Sequence, residues 1–154
     1  MLRMSKLTDY GTVVMTYLAG TPERLHAASE VAENIGVAAP TVSKVLKTLV
    51  RSGLVASHRG TKGGYALSRP AERITMAEII GALEGPIGLT ECASNPGRCV
   101  QETSCSVRGN WQRINLAIRK ALEEVTLAEM VSPVKPQTMR VAPPKPLRRA
   151  SATA

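Results

Sequence analysis

In Ala28-Ser29-Glu30-Val31-Ala32-Glu33-Asn34-Ile35-Gly36-Val37-Ala38-Ala39-Pro40-Thr41-Val42-Ser43-Lys44-Val45-Leu46-Lys47-Thr48-Leu49-Val50-Arg51-Ser52-Gly53, two helical patterns meet at a glycine. The first is predicted from about Ala28 to Ile35, capped by Ser29 or a neighbour and closed by Gly36. Pro40 suits the first turn of the second, whose apolar members Val42, Val45, Leu46, Leu49 and Val50 recur at three- and four-residue steps until Gly53 stops it. Ile35-Gly36-Val37 supplies the tight turn that a helix-turn-helix requires.

The flanking sequence extends that unit in both directions. Upstream, Leu7 to Ala19 reads as a helix capped by Thr8 or Asp9 and ended by Gly20 and Pro22. Downstream, Leu54-Val55-Ala56 and Tyr65-Ala66-Leu67 read as short strands around a glycine-rich, basic tip. Thr75 caps a further helix to about Leu83, which Gly85-Pro86 breaks. The stretch Gly88 to Ser104 has no period, and Ser106 to about Met130 is expected to form one long helix with an apolar stripe. The predicted fold is mainly α: a winged helix-turn-helix over 1–86, a cysteine loop at 87–105, a long dimerisation helix at 106–131 and a disordered basic tail at 132–154.

Charge narrows the partner. The chain has 154 residues and a net charge of +8, of which five basic residues and no acid lie in 132–154. Within the body, Lys44 to Arg73 holds seven basic residues against Glu72 alone. One basic stretch on a body of otherwise low charge suits a polyanion docked on one face. With three Tyr, one Trp and no Phe, the stacking platforms of single-strand binders are scarce, which favours duplex DNA. The third helix would place Thr41, Ser43 and Lys44 nearest base edges, with Lys47 and Arg51 on phosphates and Pro40 at its start also in the DNA-binding set. Ser29 on the preceding helix and Arg59, Gly60 and Lys62 on the wing complete the candidate DNA-binding set, Arg59 being suited to a minor groove. An ordinary solvated helix face and a simple turn are the plain alternatives for these two features.

Cys92, Cys99 and Cys105 fall within fourteen residues in the spacing C-x6-C-x5-C. That is neither a zinc knuckle nor a redox C-x-x-C pair. Wide spacing on an irregular loop suits thiolates converging on a larger object such as an iron–sulfur cluster, against the alternative of three incidental buried cysteines. His26 reads as a surface residue before the second helix, and His58 as a wing residue facing phosphate or solvent. The longest early apolar stretch, Val13 to Gly20, is too short to span a bilayer, and Asp9 interrupts any secretory signal. A cytoplasmic protein with reduced thiols and no membrane partner is the expectation, and no catalytic constellation is evident.

On these residues the chain resembles the winged-helix iron–sulfur regulators, which include regulators of the Isc and Suf cluster-assembly operons. Lys6-Leu7-Thr8-Asp9-Tyr10, Ala39-Pro40-Thr41-Val42-Ser43-Lys44-Val45-Leu46, Ser52-Gly53-Leu54-Val55, the wing from His58 to Leu67 and the three cysteines carry the likeness, over about residues 1 to 130. Within the family it is most similar to the Suf-type regulators. The resemblance implies a homodimeric repressor of cluster-assembly genes, holding a 2Fe–2S cluster (4Fe–4S being the alternative) on Cys92, Cys99 and Cys105 of each subunit. Isc-type members carry a histidine where this chain has Arg108, which is no iron ligand. The resemblance points to Asp9 of the partner subunit as the fourth ligand, with Glu102 and Asn110 as alternatives. A nitric-oxide or thiol-redox sensing repressor of the same fold is one rival reading. A metal-binding interaction protein that does not bind DNA is the other.

Overall fold

The computed structural model describes residues 4–132, so the tail expected at 132–154 lies, save for Ser132, outside the described residues. In chain order the elements are α1 (Lys6–Gly20), α2 (Ala28–Ile35), α3 (Ala39–Arg51), β1 (Val55–His58), β2 (Gly64–Leu67), a 3-10 turn (Ala71–Arg73), α4 (Met76–Glu84), α5 (Glu91–Ser94), α6 (Arg108–Glu124) and α7 (Leu127–Val131). The mainly α, winged helix-turn-helix expectation agrees with this order.

Helix α1 starts at Lys6, one residue before the expected Leu7. Ser5, not Thr8 or Asp9, is the cap, its hydroxyl accepting the Thr8 amide at 3.3 Å. Thr8 is then fully buried, with its hydroxyl donating to Glu84, while Asp9 stays exposed in the first turn. Helix α2 has the expected limits, but Ala27 occupies its cap position and makes no side-chain bond, so Ser29 caps nothing. Gly36 closes α2 at φ 66°, a left-handed conformation that a side chain would strain.

The core lies where α1, α3, α4 and α7 meet. Val14, Met15 and Leu18 of α1 pack with Val42, Val45, Leu46 and Leu49 of α3, Ile79 of α4 and Leu127 of α7, all at most 1% exposed. Each such aliphatic side chain contributes about 1.5–3 kcal/mol by leaving water.

Strands β1 and β2 pair antiparallel with Val55 opposite Leu67 and His58 opposite Gly64. The strands thus run further toward the tip than expected. A third rung joins the wing to the head: His26 N–H donates to Tyr65 O at 3.0 Å and Tyr65 N–H to His26 O at 2.9 Å. A Cβ on Gly64 would sit 2.8 Å from the His26 carbonyl oxygen, so this close approach needs glycine.

The single long helix expected from Ser106 to Met130 is broken. Helix α6 ends at Glu124, Val125 is extended, and Thr126 restarts the chain as the cap of α7, in a capping box with Glu129. Met76 N–H donates to Val125 O at 2.9 Å and Leu127 N–H to Ile74 O at 2.8 Å. The break lets Leu127 reach the core, which a straight helix would prevent. No helix among the described residues is long and apolar enough to cross a membrane.

Candidate nucleic-acid interface and cysteine loop

Burying one face of α3 decides what the other face offers. Lys44, Lys47 and Arg51 stand exposed, with Thr41, Ser43 and Thr48 half-buried between them and Pro40 exposed at the start. Pro40, Ser43, Lys44, Lys47, Thr48 and Arg51 line one surface hollow. Lys47 and Arg51 also line a second, with Val50, Ser57 and Tyr65, so the cationic face of α3 runs on into the base of the wing. Thr48 donates its hydroxyl proton to Lys44 O at 3.1 Å, within its own helix. Arg59, Gly60 and Lys62 are exposed at the wing tip, and Ser29 is exposed in the first turn of α2. Among the described residues, Lys44, Lys47, Arg51, Arg59 and Lys62 have no carboxylate within ion-pair reach, as also Lys6, Arg73, Arg98, Arg113 and Lys120 have none, whereas Arg24, Arg69, Arg108 and Arg119 each hold one. Unneutralised cations on one face are what a phosphate backbone needs.

His26 is a correction. It is 1% exposed rather than a surface residue, because its backbone must pair with the wing and its ring follows into the head. Its Nε2 lies 2.8 Å from Thr21 Oγ1 and its Nδ1 3.4 Å from Glu30 Oε1, with the Tyr17 ring edge-on at 5.1 Å. Arg24 closes the cluster on Glu30 at 2.6 Å. Burial pushes the Glu30 carboxyl up, but the His26 hydrogen bond and the Arg24 and His26 charges together hold it below its ordinary value. Sequence reading missed this polar joint, although Glu30 four residues after His26 on a helix start was its signal. His58, by contrast, is exposed on β1 as expected.

The cysteine loop hangs between α4 and α6. Asn115 of α6 clamps its entry, accepting the Leu89 amide and donating to Ile87 O, both at 3.3 Å. All three thiols are free; Cys92 is buried beside the Thr90 hydroxyl (3.2 Å), and Cys99 and Cys105 are half-buried. As folded, no three His, Cys, Asp or Glu side chains among the described residues are gathered as a metal ion requires. Of the fourth-ligand candidates, Asp9 on α1 and Asn110 on α6 are exposed. Glu102 is buried and committed, its Oε1 to Arg108 at 2.7 Å and its Oε2 to the Gly97 amide at 2.6 Å. Arg108 Nε is the one buried side-chain donor without an acceptor among the described residues. Three free thiols on the loop and an orphaned donor at the start of α6 fit an iron–sulfur cluster in kind, because thiolates bind iron and N–H groups bond to its sulfur.

A family model for an iron-dependent transcriptional regulator, Rrf2, matches residues 4–133. The chain belongs to the Rrf2 family. Among solved structures, this Rrf2 chain is 30% identical to CymR, the global cysteine regulator of B. subtilis, with a TM-score of 0.69 over 85% of this chain and 97% of that one. It is 28% identical to IscR of T. potens, with a TM-score of 0.65 over 84% and 86% of the two chains. It is also 26% identical to the oxidized form of CymR from Staphylococcus aureus, with a TM-score of 0.65 over 88% and 100%. Rrf2 proteins are transcriptional regulators, not enzymes, and they bind DNA.

Proposed function

We propose that this Rrf2 protein is a dimeric, cytoplasmic repressor of iron–sulfur cluster assembly genes, whose hold on DNA follows the state of a cluster bound by Cys92, Cys99 and Cys105. The observation that carries this reading is three free thiols on one fourteen-residue loop, clamped by Asn115 to the helix expected to join two subunits. The resemblance favours the Suf-type regulators, and the likeness to IscR supports a cluster.

A 2Fe–2S cluster, once bound, supplies a redox-labile anchor for the loop. The chain's own residues do the rest. The exposed face of α3 would enter the major groove, and Lys47 and Arg51 would engage phosphate. Trp111 and Ile114, about 40% exposed on α6, are the apolar surface for a second copy. Loop order at Gly88 to Ser104 would bias the angle between α6 and the two heads. A difference of a few kcal/mol in that ordering changes occupancy roughly a hundredfold. Asp9 of the partner subunit remains the proposed fourth ligand.

The test is anaerobic purification with iron and sulfide assays, a visible spectrum and duplex-DNA binding across salt concentrations. Cys99→Ala should abolish cluster absorbance while leaving helical circular dichroism intact. A colourless, iron-free wild-type protein refutes the cluster. That result would favour the second reading, a thiol-redox repressor. The ungathered thiols and the likeness to a CymR captured in an oxidized form support it.

A further inference from the structure

We infer that Arg108 is a hydrogen-bond donor and counter-charge to the cluster's sulfur, aimed and restrained by Glu102. The inference rests on the cluster reading above and assigns Arg108 the part of a positioning residue, not a ligand. Guanidinium stays protonated and presents five N–H donors in a rigid fork. Here Nη2 is spent on Glu102 Oε1 at 2.7 Å and Nη1 reaches Glu102 O at 3.5 Å, while Nε is buried with no acceptor among the described residues. A buried donor left unsatisfied is costly and calls for an explanation, and a bound anionic acceptor supplies one.

The main chain ties both members of the ion pair to the cysteine segment. The Glu102 amide donates to Cys99 O at 3.0 Å and the Arg108 amide to Cys105 O at 3.3 Å. The ion pair is therefore stapled to the backbone at the second and third cysteines. Glu102 is 8% exposed, and its second oxygen is held by Gly97, so it cannot turn to iron without abandoning both partners. Thiolate or inorganic sulfide is the acceptor chemistry that fits, since charge and hydrogen bonds to sulfur are the levers by which a protein sets a cluster's potential.

Reduction adds negative charge, so a cationic donor favours the reduced form and a neighbouring carboxylate opposes it. Wild-type protein, Arg108→Gln, Arg108→Lys and Glu102→Gln should be reconstituted anaerobically with iron and sulfide and titrated by spectroelectrochemistry. The cluster-free forms should be titrated with iodoacetamide. Arg108→Gln is expected to lower the potential and Glu102→Gln to raise it. Arg108→Lys, which keeps the charge but loses Nε, is expected to fall between Arg108→Gln and wild type. In the cluster-free forms, alkylation of Cys99 and Cys105 should quicken severalfold when either partner is changed. Unchanged potentials, or potentials that all move in one direction, overturn the inference, because mere loosening of the loop has no reason to act with opposite signs. If Arg108→Gln does not fold, Arg108→Lys alone decides. A wild-type protein that takes up no iron or sulfide defeats the cluster reading and this inference together. A loaded wild type with unshifted variants defeats this inference alone.

Discussion

Lys47 and Glu30 show how differently two charged side chains serve one surface. Among the described residues, Lys47 is exposed, has no carboxylate within ion-pair reach and is common to both hollows along α3 and the wing, the place proposed for a phosphate contact. Lys47→Ala should weaken binding to every duplex alike and lower the salt slope by about one ion in a fluorescence-anisotropy titration. An effect confined to one sequence would give it a base-reading part instead. Glu30 works inward. Its carboxyl lies below the ordinary value of 4.5 in the folded chain, so the folded state binds its proton less readily than the unfolded state. The stabilisation is therefore complete above about pH 4.5 and lost as pH falls through the lowered value. Glu30→Gln should flatten that acid limb in thermal melts between pH 6 and pH 3, and it should leave the neutral-pH DNA salt slope alone.

At the scale of elements, the joint between α6 and α7 matters most. Thr75 and Thr126 sit opposite one another in an isolated antiparallel bridge, each capping its own helix in a box with Glu78 or Glu129. The doubled cap pins the end of α6 to the start of α4 and seats Leu127 in the core. Thr126→Ala removes one cap and should cost about 1 kcal/mol, read as a lower melting temperature. Leu127 amide exchange should quicken in the same variant while α3 stays protected. Equal loss of protection in both helices would mean that the joint has no identity of its own.

Across the whole molecule, the cationic face, the wing, the thiol loop and the exposed seam of α6 all hang from one small core. Placing a charge on the seam tests whether that arrangement works as a pair. Ile114→Glu should shift sedimentation to the monomer and weaken operator binding at least tenfold, with the helical spectrum kept. A dimer that persists would move the interface off α6.

The paired helices, the wing and the cysteine cluster were legible in one dimension because each rests on local chemistry. Apolar residues at helical steps, glycines at turns and clustered thiols announce themselves within a few residues. His26, Leu127 and Glu102 were not legible, because burial and pairing depend on what folds against them. A histidine reads the same whether its backbone meets a wing strand or water. The apolar stripe after Ser106 reads as continuous until the core at Ile74 captures Leu127. Chain-local energetics therefore decided the elements. The competition among distant groups for one interior, and for the few hydrogen-bond partners inside it, decided where the elements end and which charges stayed free for DNA.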